Sequence, residues 1–283
     1  MRFLRMGPAG SERPAVLDTD GVAYNLTPLT ADINGAFLAG DGVERARAAL
    51  AEGALPRTDV TGQRIGAPLA RPGKVMCVGL NYVDHAEETA IPTPTEPVVF
   101  MKAANTVVGP DDTVLIPRTS IKTDYEIELA VIIGRTARYL DSPDAAVEVI
   151  AGYAISDDVS ERSFQHERGG QWDKGKSCET FNPLGPWLVT PDETGDPQDL
   201  AMRLRVNGEL RQDGHTKNMI FGVHHIVWYL SQFMVLDPGD LINTGTPAGV
   251  AFGVNDFPYL RAGDVVDVEI DRLGRQRHVL GQA

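Results

Sequence analysis

Short apolar runs, separated by turns rich in Gly and Pro, recur along most of this chain. Runs of this length between turn residues are typical of β-strands. From Lys74 onward they are VMCVGL (75–80), PVVFMKA (97–103), LAVIIG (129–134), AGYAIS (151–156), AMRLRVNG (201–208) and DVVDVEI (264–270). Many strands with few long helices predict an α+β fold whose larger unit is mainly β.

Two segments in this larger unit have helical spacing instead. In NMIFGVHHIVWYLSQFM (218–234), apolar residues recur three and four positions apart, which predicts an amphipathic helix. SPDAAVEVIAG (142–152) has Pro143 at the first helical position and Gly152 as a stop signal.

The first 70 residues have the pattern of a smaller unit. AVLDTDGVAYNL (15–26) predicts a hairpin around Asp-Gly, and GDGVERARAALAEG (40–53) predicts a short helix. IGAPLARPGKV (65–75) has two prolines among small residues and predicts a linker. We therefore expect a small N-terminal α/β domain at 1–70 and a catalytic domain at 71–283.

Composition narrows the class of protein. The 283 residues are 42% hydrophobic and 23% charged, as in ordinary globular proteins, and the formal net charge is −13. An acidic chain argues against nucleic acid or an anionic membrane as a partner, because both need a basic surface. With only two cysteines and no apolar run of membrane-spanning length or signal-peptide type, we expect a cytoplasmic enzyme.

The segment TDYEIELAVIIGR (123–135) places three acids on one alternating face at the start of an apolar strand. Glu126 and Glu128 could lie in water at a sheet edge, as strand acids often do. Another acidic pair, Asp157-Asp158, follows a second strand-like run, however. Carboxylates near a core repel one another unless a cation joins them, and oxygen ligands suit Mg²⁺ or Mn²⁺.

Five motifs in order resemble the fumarylacetoacetate hydrolase family over about residues 72–280. They are GLNYVDHAEE (79–88), DYEIELAVIIG (124–134), ISDDVSERSFQ (155–165), KGKSCETFNPLGPWL (174–188) and DPGDLINTGTPAGV (237–250). The resemblance is strongest to the bacterial branch that includes 2,4-diketo-3-deoxy-L-rhamnonate and L-fuconate hydrolases. It implies the family's mixed β-roll or β-sandwich catalytic domain and a homodimer.

The resemblance also implies a metal held by Glu126, Glu128 and one Asp. The family's ligand lies four residues before an Arg, and here Arg162 lies four residues after Asp158. Asp158 is therefore the expected ligand, and Asp157 stays open as the alternative. No family ligand matches Asp124, which could be solvated or could support the site.

His85 and Glu88 lie three residues apart on an expected helix, so they share a face. Alone, such a pair is more often an ordinary ion pair on a solvated helix. The resemblance implies that Glu88 fixes the tautomer of His85, which then acts as a general base on water. The Pro- and Thr-rich segment that follows, 91–97, is expected to form a lid.

The resemblance further implies a set of residues that hold the substrate. Lys176 is expected to bind a carboxylate or oxyanion, although a surface lysine would fit the same spacing. Arg162 is equally a substrate ligand or a structural partner of the acids. Gln165, Thr246 and Tyr82 are expected to contact the substrate.

Some family members that act on oxaloacetate or short acylpyruvates have an Arg where this chain has Leu80, which favours a neutral, hydroxylated substrate tail here. The expected reaction is metal-dependent hydrolysis of a C–C bond in a 2,4-dioxo acid, giving pyruvate and a second acid such as lactate. The alternatives are a decarboxylase of β-oxo acids, a 2-oxo acid tautomerase or isomerase, and a non-catalytic metal-bound scaffold.

Overall fold

A computed structural model of the chain describes residues 1–88, 92–252 and 257–283. The strands in these ranges are β1 Arg2–Met6, β2 Arg13–Leu17, β3 Ala23–Asn25, β4 Ile65–Gly66, β5 Val75–Gly79, β6 Val98–Lys102, β7 Val107–Val108, β8 Val114–Ile116, β9 Thr123–Asp124, β10 Ile127–Ile133, β11 Ile150–Asp157, β12 Ser160–Glu161, β13 Asn182–Val189, β14 Ala201–Val206, β15 Glu209–His215, β16 Leu241–Asn243, β17 Val265–Ile270 and β18 Gly274–Gln282. The α-helices are α1 Gly35–Ala39, α2 Gly42–Ala51, α3 Val83–Glu88, α4 Arg162–His166, α5 Asp173–Lys176, α6 Pro191–Thr194 and α7 Val223–Ser231.

The strands form mixed sheets, and the predicted α+β class is confirmed. Within the described ranges, the largest sheet has the order β3-β2-β1-β13-β11-β10-β16-β5-β6, with β4 beside β1 and β7 beside β13. A second sheet has the order β15-β14-β17-β18-β8, and β9 pairs with β12 alone. Most neighbours are antiparallel, whereas β16 with β5, β18 with β8 and β13 with β7 are parallel.

Strand β10 lies at the centre of the molecule and is buried along its whole length. Ile127, Leu129 and Val131 face a core that includes the second sheet and α7. Ala130 and Ile132 face a second core, which includes residues of β1, α1 and α2. Both faces of the strand are therefore covered, which explains why its sequence is continuously apolar instead of alternating.

The N-terminal hairpin and helix are confirmed as β2–β3 and α2. Strand β1 pairs with β13, so the hairpin extends the same sheet that contains β10. The proposed boundary at residue 70 stays a prediction.

The two helices predicted in the larger unit are shorter than their patterns suggest. Helix α7 covers only nine residues of 218–234, because Gly222 is its N-cap and a separate 3₁₀ helix, Thr216–Asn218, precedes it. The segment 142–152 forms a 3₁₀ helix at Pro143–Val149. Gly152 is not a stop but a residue of β11, where a Cβ would lie 2.3 Å from the Val189 carbonyl oxygen. Pairing with β13 therefore overrides the local helical pattern.

No helix in the described ranges is long and apolar enough to cross a membrane. In the expected lid, residue 91 lies outside the described residues. Residues 92–97 contain no helix or strand.

Candidate active site

The candidate site forms where β10 begins and β11 ends. The two strands are antiparallel, with Ile127 opposite Asp157, so the acids that precede or begin one strand lie beside those that end the other. Carboxylate oxygens of Glu126, Glu128 and Asp158 lie within 4.8 Å of one another, and all three residues are buried. A single strand pairing thus brings together acids that lie about 30 residues apart in the sequence.

The neighbouring acids Asp157 and Asp158 point in different directions. Asp157 accepts the backbone N–H of Glu126 at 2.9 Å through one oxygen, and its other oxygen lies 2.9 Å from Nε2 of His278. Asp158 instead contributes its carboxylate to the cluster. Successive side chains at the end of a strand point to opposite sides, so Asp157 bonds the backbone and His278 while Asp158 joins the carboxylate cluster.

Three buried cations surround the carboxylates. Lys176 Nζ lies 2.5 Å from Glu126 Oε2 and 3.0 Å from Asp158 Oδ2. Arg162 Nη2 lies 2.6 Å from Glu126 Oε1. The groups form an alternating chain of ion pairs in the order Lys102, Asp158, Lys176, Glu126, Arg162 and Asp124.

The ends of this chain are fixed by further bonds. Lys102 Nζ pairs with Asp158 and donates to the Val159 carbonyl at 3.0 Å. Asp124 is fully buried and accepts the backbone N–H groups of Ala251 and Phe252 at 2.9 and 3.0 Å. Asp124 is therefore a supporting residue and not a solvated one.

Glu126 and Glu128 have opposite electrostatic environments. Although burial alone would raise it, Arg162 and Lys176 lower the pKa of the Glu126 carboxyl to about 2. Burial and the nearby Asp158 and Glu126 raise the pKa of the Glu128 carboxyl well above its usual range. Among the described residues, Glu128 has no ion pair and accepts only the Gly245 N–H, at 2.7 Å.

This arrangement fits a divalent cation. Glu128 is 2% exposed and is the acid of the cluster that no protein cation neutralises within the described ranges. A buried carboxylate without a counter-ion is costly, and a metal beside three carboxylates would remove that cost. The donor set consists of oxygens, which suits a hard ion such as Mg²⁺ or Mn²⁺. The cluster could therefore hold a metal ion.

Helix α3 places His85 in the same cleft, with Glu88 beside it. His85 Nδ1 lies 3.4 Å from Glu88 Oε2, and Glu88 also accepts the Gly249 N–H at 3.0 Å. Two bonds thus fix the carboxylate. His85 is 7% exposed and lines the cleft together with Glu126 and Glu128.

The other expected substrate residues differ in what they offer. Arg162, Gln165, Lys176 and Thr246 line the cleft. Gln165 Oε1 accepts from Arg162 at 3.1 Å, so its amide nitrogen is the group that can face a ligand. The Thr246 hydroxyl donates to the Ile127 carbonyl and accepts from Gln212, each at 2.8 Å, and is therefore already engaged.

Tyr82 requires a correction, because it does not line the cleft. Its side chain is fully buried, and its hydroxyl donates to Met202 Sδ at 3.1 Å in the core. Its partner in the Asn-Tyr pair, Asn81, is also buried and bonds the Thr244 and Phe221 backbone. The pair anchors the start of α3 and does not contact the cleft.

Sequence reasoning missed several residues around the site. Lys102 and His278 lie outside the motifs used, and only long-range packing brings them to Asp158 and Asp157. Three further aromatic side chains also line the cleft, namely Phe100, His166 and Phe252. Trp172, for which the segment GGQWDKG (169–175) is compatible with either the site entrance or core packing, lines the cleft as well. In β6, buried Phe100 and Lys102 alternate with more exposed residues, and this alternation is the sequence signal that could have identified these two.

Comparisons with known proteins agree with this geometry. The 2,4-didehydro-3-deoxy-L-rhamnonate hydrolase of a Sphingomonas strain is 46% identical, over 100% of this chain and 96% of its own. The crystal structure of a fumarylacetoacetate hydrolase from Exiguobacterium antarcticum is 36% identical, with a TM-score of 0.84 over 100% of both chains. A maleylpyruvate hydrolase from Sphingobium, solved with manganese(II) and pyruvate, is 28% identical, with a TM-score of 0.82 over 100% of both chains.

The family model described as fumarylacetoacetate (FAA) hydrolase, C-terminal, matches residues 74–280. This range contains the carboxylate cluster, the His85–Glu88 pair and the cations around them. The chain therefore belongs to the fumarylacetoacetate hydrolase family.

Proposed function

We propose that this protein is a metal-dependent hydrolase that cleaves the C3–C4 bond of a 2,4-dioxo acid to give pyruvate and a second carboxylic acid. The observation that carries the proposal is that His85, which pairs with Glu88, lines the same cleft as Glu126 and Glu128 of the carboxylate cluster. A metal site next to a fixed imidazole is what hydrolysis by an activated water requires.

In this proposal, the 2-oxo acid end of the substrate binds at the buried end of the cleft. A Mg²⁺ or Mn²⁺ ion held by Glu126, Glu128 and Asp158 would supply Lewis-acid stabilisation of negative charge there. Lys176 offers an ammonium and Gln165 an amide N–H to the same end of the substrate.

His85 carries the proton transfer. Glu88 lies beside its Nδ1 and orients the ring, and the imidazole takes a proton from water as that water attacks the C4 carbonyl. The tetrahedral adduct then collapses and the C3–C4 bond breaks. C4 leaves as a carboxylic acid, and C3 keeps the bonding electrons as the enolate of pyruvate, which takes up one proton.

Formal charge favours a substrate with a single carboxylate. The six ion-paired groups from Lys102 to Asp124 have no net charge. Glu128 gives the site a net charge of −1, and a bound divalent ion would change the net charge to +1. Leu80 lines the cleft where a cation would be needed for a second carboxylate. Together with the 46% identical relative, this favours 5-hydroxy-2,4-dioxohexanoate, whose products are pyruvate and lactate.

The test is the release of products from this compound by the purified protein. We expect pyruvate and lactate in equal amounts with Mg²⁺ or Mn²⁺, and none in EDTA. Full activity in EDTA would exclude the metal role. Release of CO₂ from oxaloacetate without cleavage of dioxo acids would support the decarboxylase, and interconversion of keto and enol forms alone would support the tautomerase.

We further propose that the protein acts in the cytoplasm as a homodimer on a small-molecule substrate. Its acidic charge supports the absence of nucleic acid and membrane as partners. Light scattering of the purified protein measures the mass, and a monomer would contradict the dimer.

A further inference from the structure

The cleft has a buried end and an exposed end with different chemistry. Glu126, Glu128 and Lys176 are at most 5% exposed. His166 and Phe252 belong to the exposed end, where Phe252 is 42% exposed. A substrate held by its 2-oxo acid at the buried end would therefore extend its distal carbons towards His166.

His166 is held in a defined position by aromatic neighbours. Its ring stacks on Phe252, with centroids 4.8 Å apart and an interplanar angle of 16°. Trp172 packs edge-on against the same ring, with centroids 5.9 Å apart, and Trp172 in turn contacts Phe100 with centroids 5.4 Å apart. The imidazole is thus oriented without using its nitrogens.

The nitrogens of His166 are uncommitted in the part of the chain that the structure describes. No hydrogen bond to them occurs there, whereas Arg162 and Lys176 on the same cleft wall are paired with acids. The amide nitrogen of Gln165, one residue away in α4, and the indole N–H of Trp172 also have no hydrogen bond in the described ranges. Both of these groups only donate, whereas His166 can both donate to and accept from a polar atom.

We propose that His166 is a specificity-determining residue that binds the hydroxyl group on C5 of the substrate, with Phe252 and Trp172 contacting the adjacent C–H and methyl groups. This inference rests on the proposed function. It names the residue that selects a hydroxylated tail over an unsubstituted one.

The electrostatics of the imidazole suit a neutral hydroxyl. Burial, Arg162 and Lys176 lower the pKa of His166 below its usual value, so the ring is neutral at pH 7.5. A neutral imidazole has one N–H donor and one acceptor nitrogen and can therefore bond a hydroxyl in either direction. Because it has no charge, it offers a second carboxylate no ion pair.

Two substrates that differ by one hydroxyl test this directly: 5-hydroxy-2,4-dioxohexanoate and 2,4-dioxohexanoate, each cleaved in the presence of Mg²⁺ with pyruvate as the readout. The natural protein should prefer the hydroxylated compound by about tenfold in kcat/KM, the size of effect that one hydrogen bond gives. In His166→Phe, which retains an aromatic ring, this ratio should fall towards one. In His166→Gln, which retains polar groups, part of the ratio should return.

His224→Phe is the matched control, because His224 lies on α7 and does not line the cleft. It should keep the full preference. A His166→Phe protein that keeps the tenfold ratio, or a natural protein with no preference between the two compounds, would overturn the inference while leaving the hydrolase function standing. If the natural protein cleaves neither compound, the proposed function fails and the inference fails with it.

Discussion

Replacing Glu128 by Gln should make the metal-free protein more stable and should remove its stabilisation by Mg²⁺. Glu128 is 2% exposed, and its oxygens lie within 4.8 Å of those of two other carboxylates. Two unit charges at that distance repel by about 3.5 kcal/mol at an effective dielectric constant of 20. Lys176 pairs with both neighbours and offsets about one of the two repulsions, which leaves about 3.5 kcal/mol.

Proton uptake sets an upper limit to this penalty. The Glu128 carboxyl has an ordinary pKa of 4.5, and its pKa in the fold is raised. Protonating a carboxyl of pKa 4.5 at pH 7.5 costs about 1.36 kcal/mol for each of the three pH units, or about 4 kcal/mol. The penalty for keeping Glu128 charged cannot exceed this value, because above it the carboxyl takes up a proton. Because the folded pKa is the higher one, stability falls as the pH rises above 4.5 towards the folded pKa. Below pH 4.5 the two proteins should be equally stable.

Thermal unfolding in EDTA and in Mg²⁺ is the assay. In EDTA at pH 7.5, Glu128→Gln should melt roughly 7–14 °C higher, given about 2–4 °C for each kcal/mol. Mg²⁺ at 100 times its dissociation constant should stabilise the natural protein by about 2.7 kcal/mol and the variant by far less. Glu179→Gln, at an exposed acid, is the control that should change neither value. A Glu128→Gln protein that is less stable in EDTA, or equally stabilised by Mg²⁺, would refute the reasoning.

Three further substitutions test other parts of the site. His85→Ala should leave substrate binding intact but lower kcat by about 10²–10⁴-fold, the usual loss for a general base, and an unchanged kcat would remove His85 from the mechanism. Lys102→Met should lower the free energy of unfolding by about 3–5 kcal/mol in urea titrations, because it leaves Asp158 buried without this partner; a loss below about 1 kcal/mol would contradict the ion-pair assignment. Leu80→Arg should raise kcat/KM for a 2,4-dioxo diacid relative to a monoacid, because a guanidinium can bind the second carboxylate. If that ratio does not move, Leu80 does not set the charge of the tail.

Local patterns were sufficient for much of the fold. The Asp-Gly turn within AVLDTDGVAYNL identified the β2–β3 hairpin, and the segment GDGVERARAALAEG identified α2. They failed at Gly152, because the absence of a Cβ there serves close packing on Val189 and does not end a helix. Local signals cannot distinguish these two uses of glycine.

For the candidate site, the sequence alone determined which acids could meet, since Glu126 and Glu128 are fixed two residues apart at the start of one strand. It also determined that His85 and Glu88 share a helix face, because three residues make nearly one helical turn. It favoured Asp158 as the third ligand but left Asp157 open, and it could not show that Tyr82 faces the core. Those directions depend on what lies across the sheet.

Only the tertiary structure brought Lys102 and His278 to the acids, over 56 and 121 residues of sequence. A buried charge needs a partner, and the free energy of that pairing is the same whether the partner is near or far along the chain. Sequence spacing therefore carries no information about it. Local geometry fixed the ligands' relative positions, and packing of distant strands decided which of the acids are neutralised and which one remains for a cation.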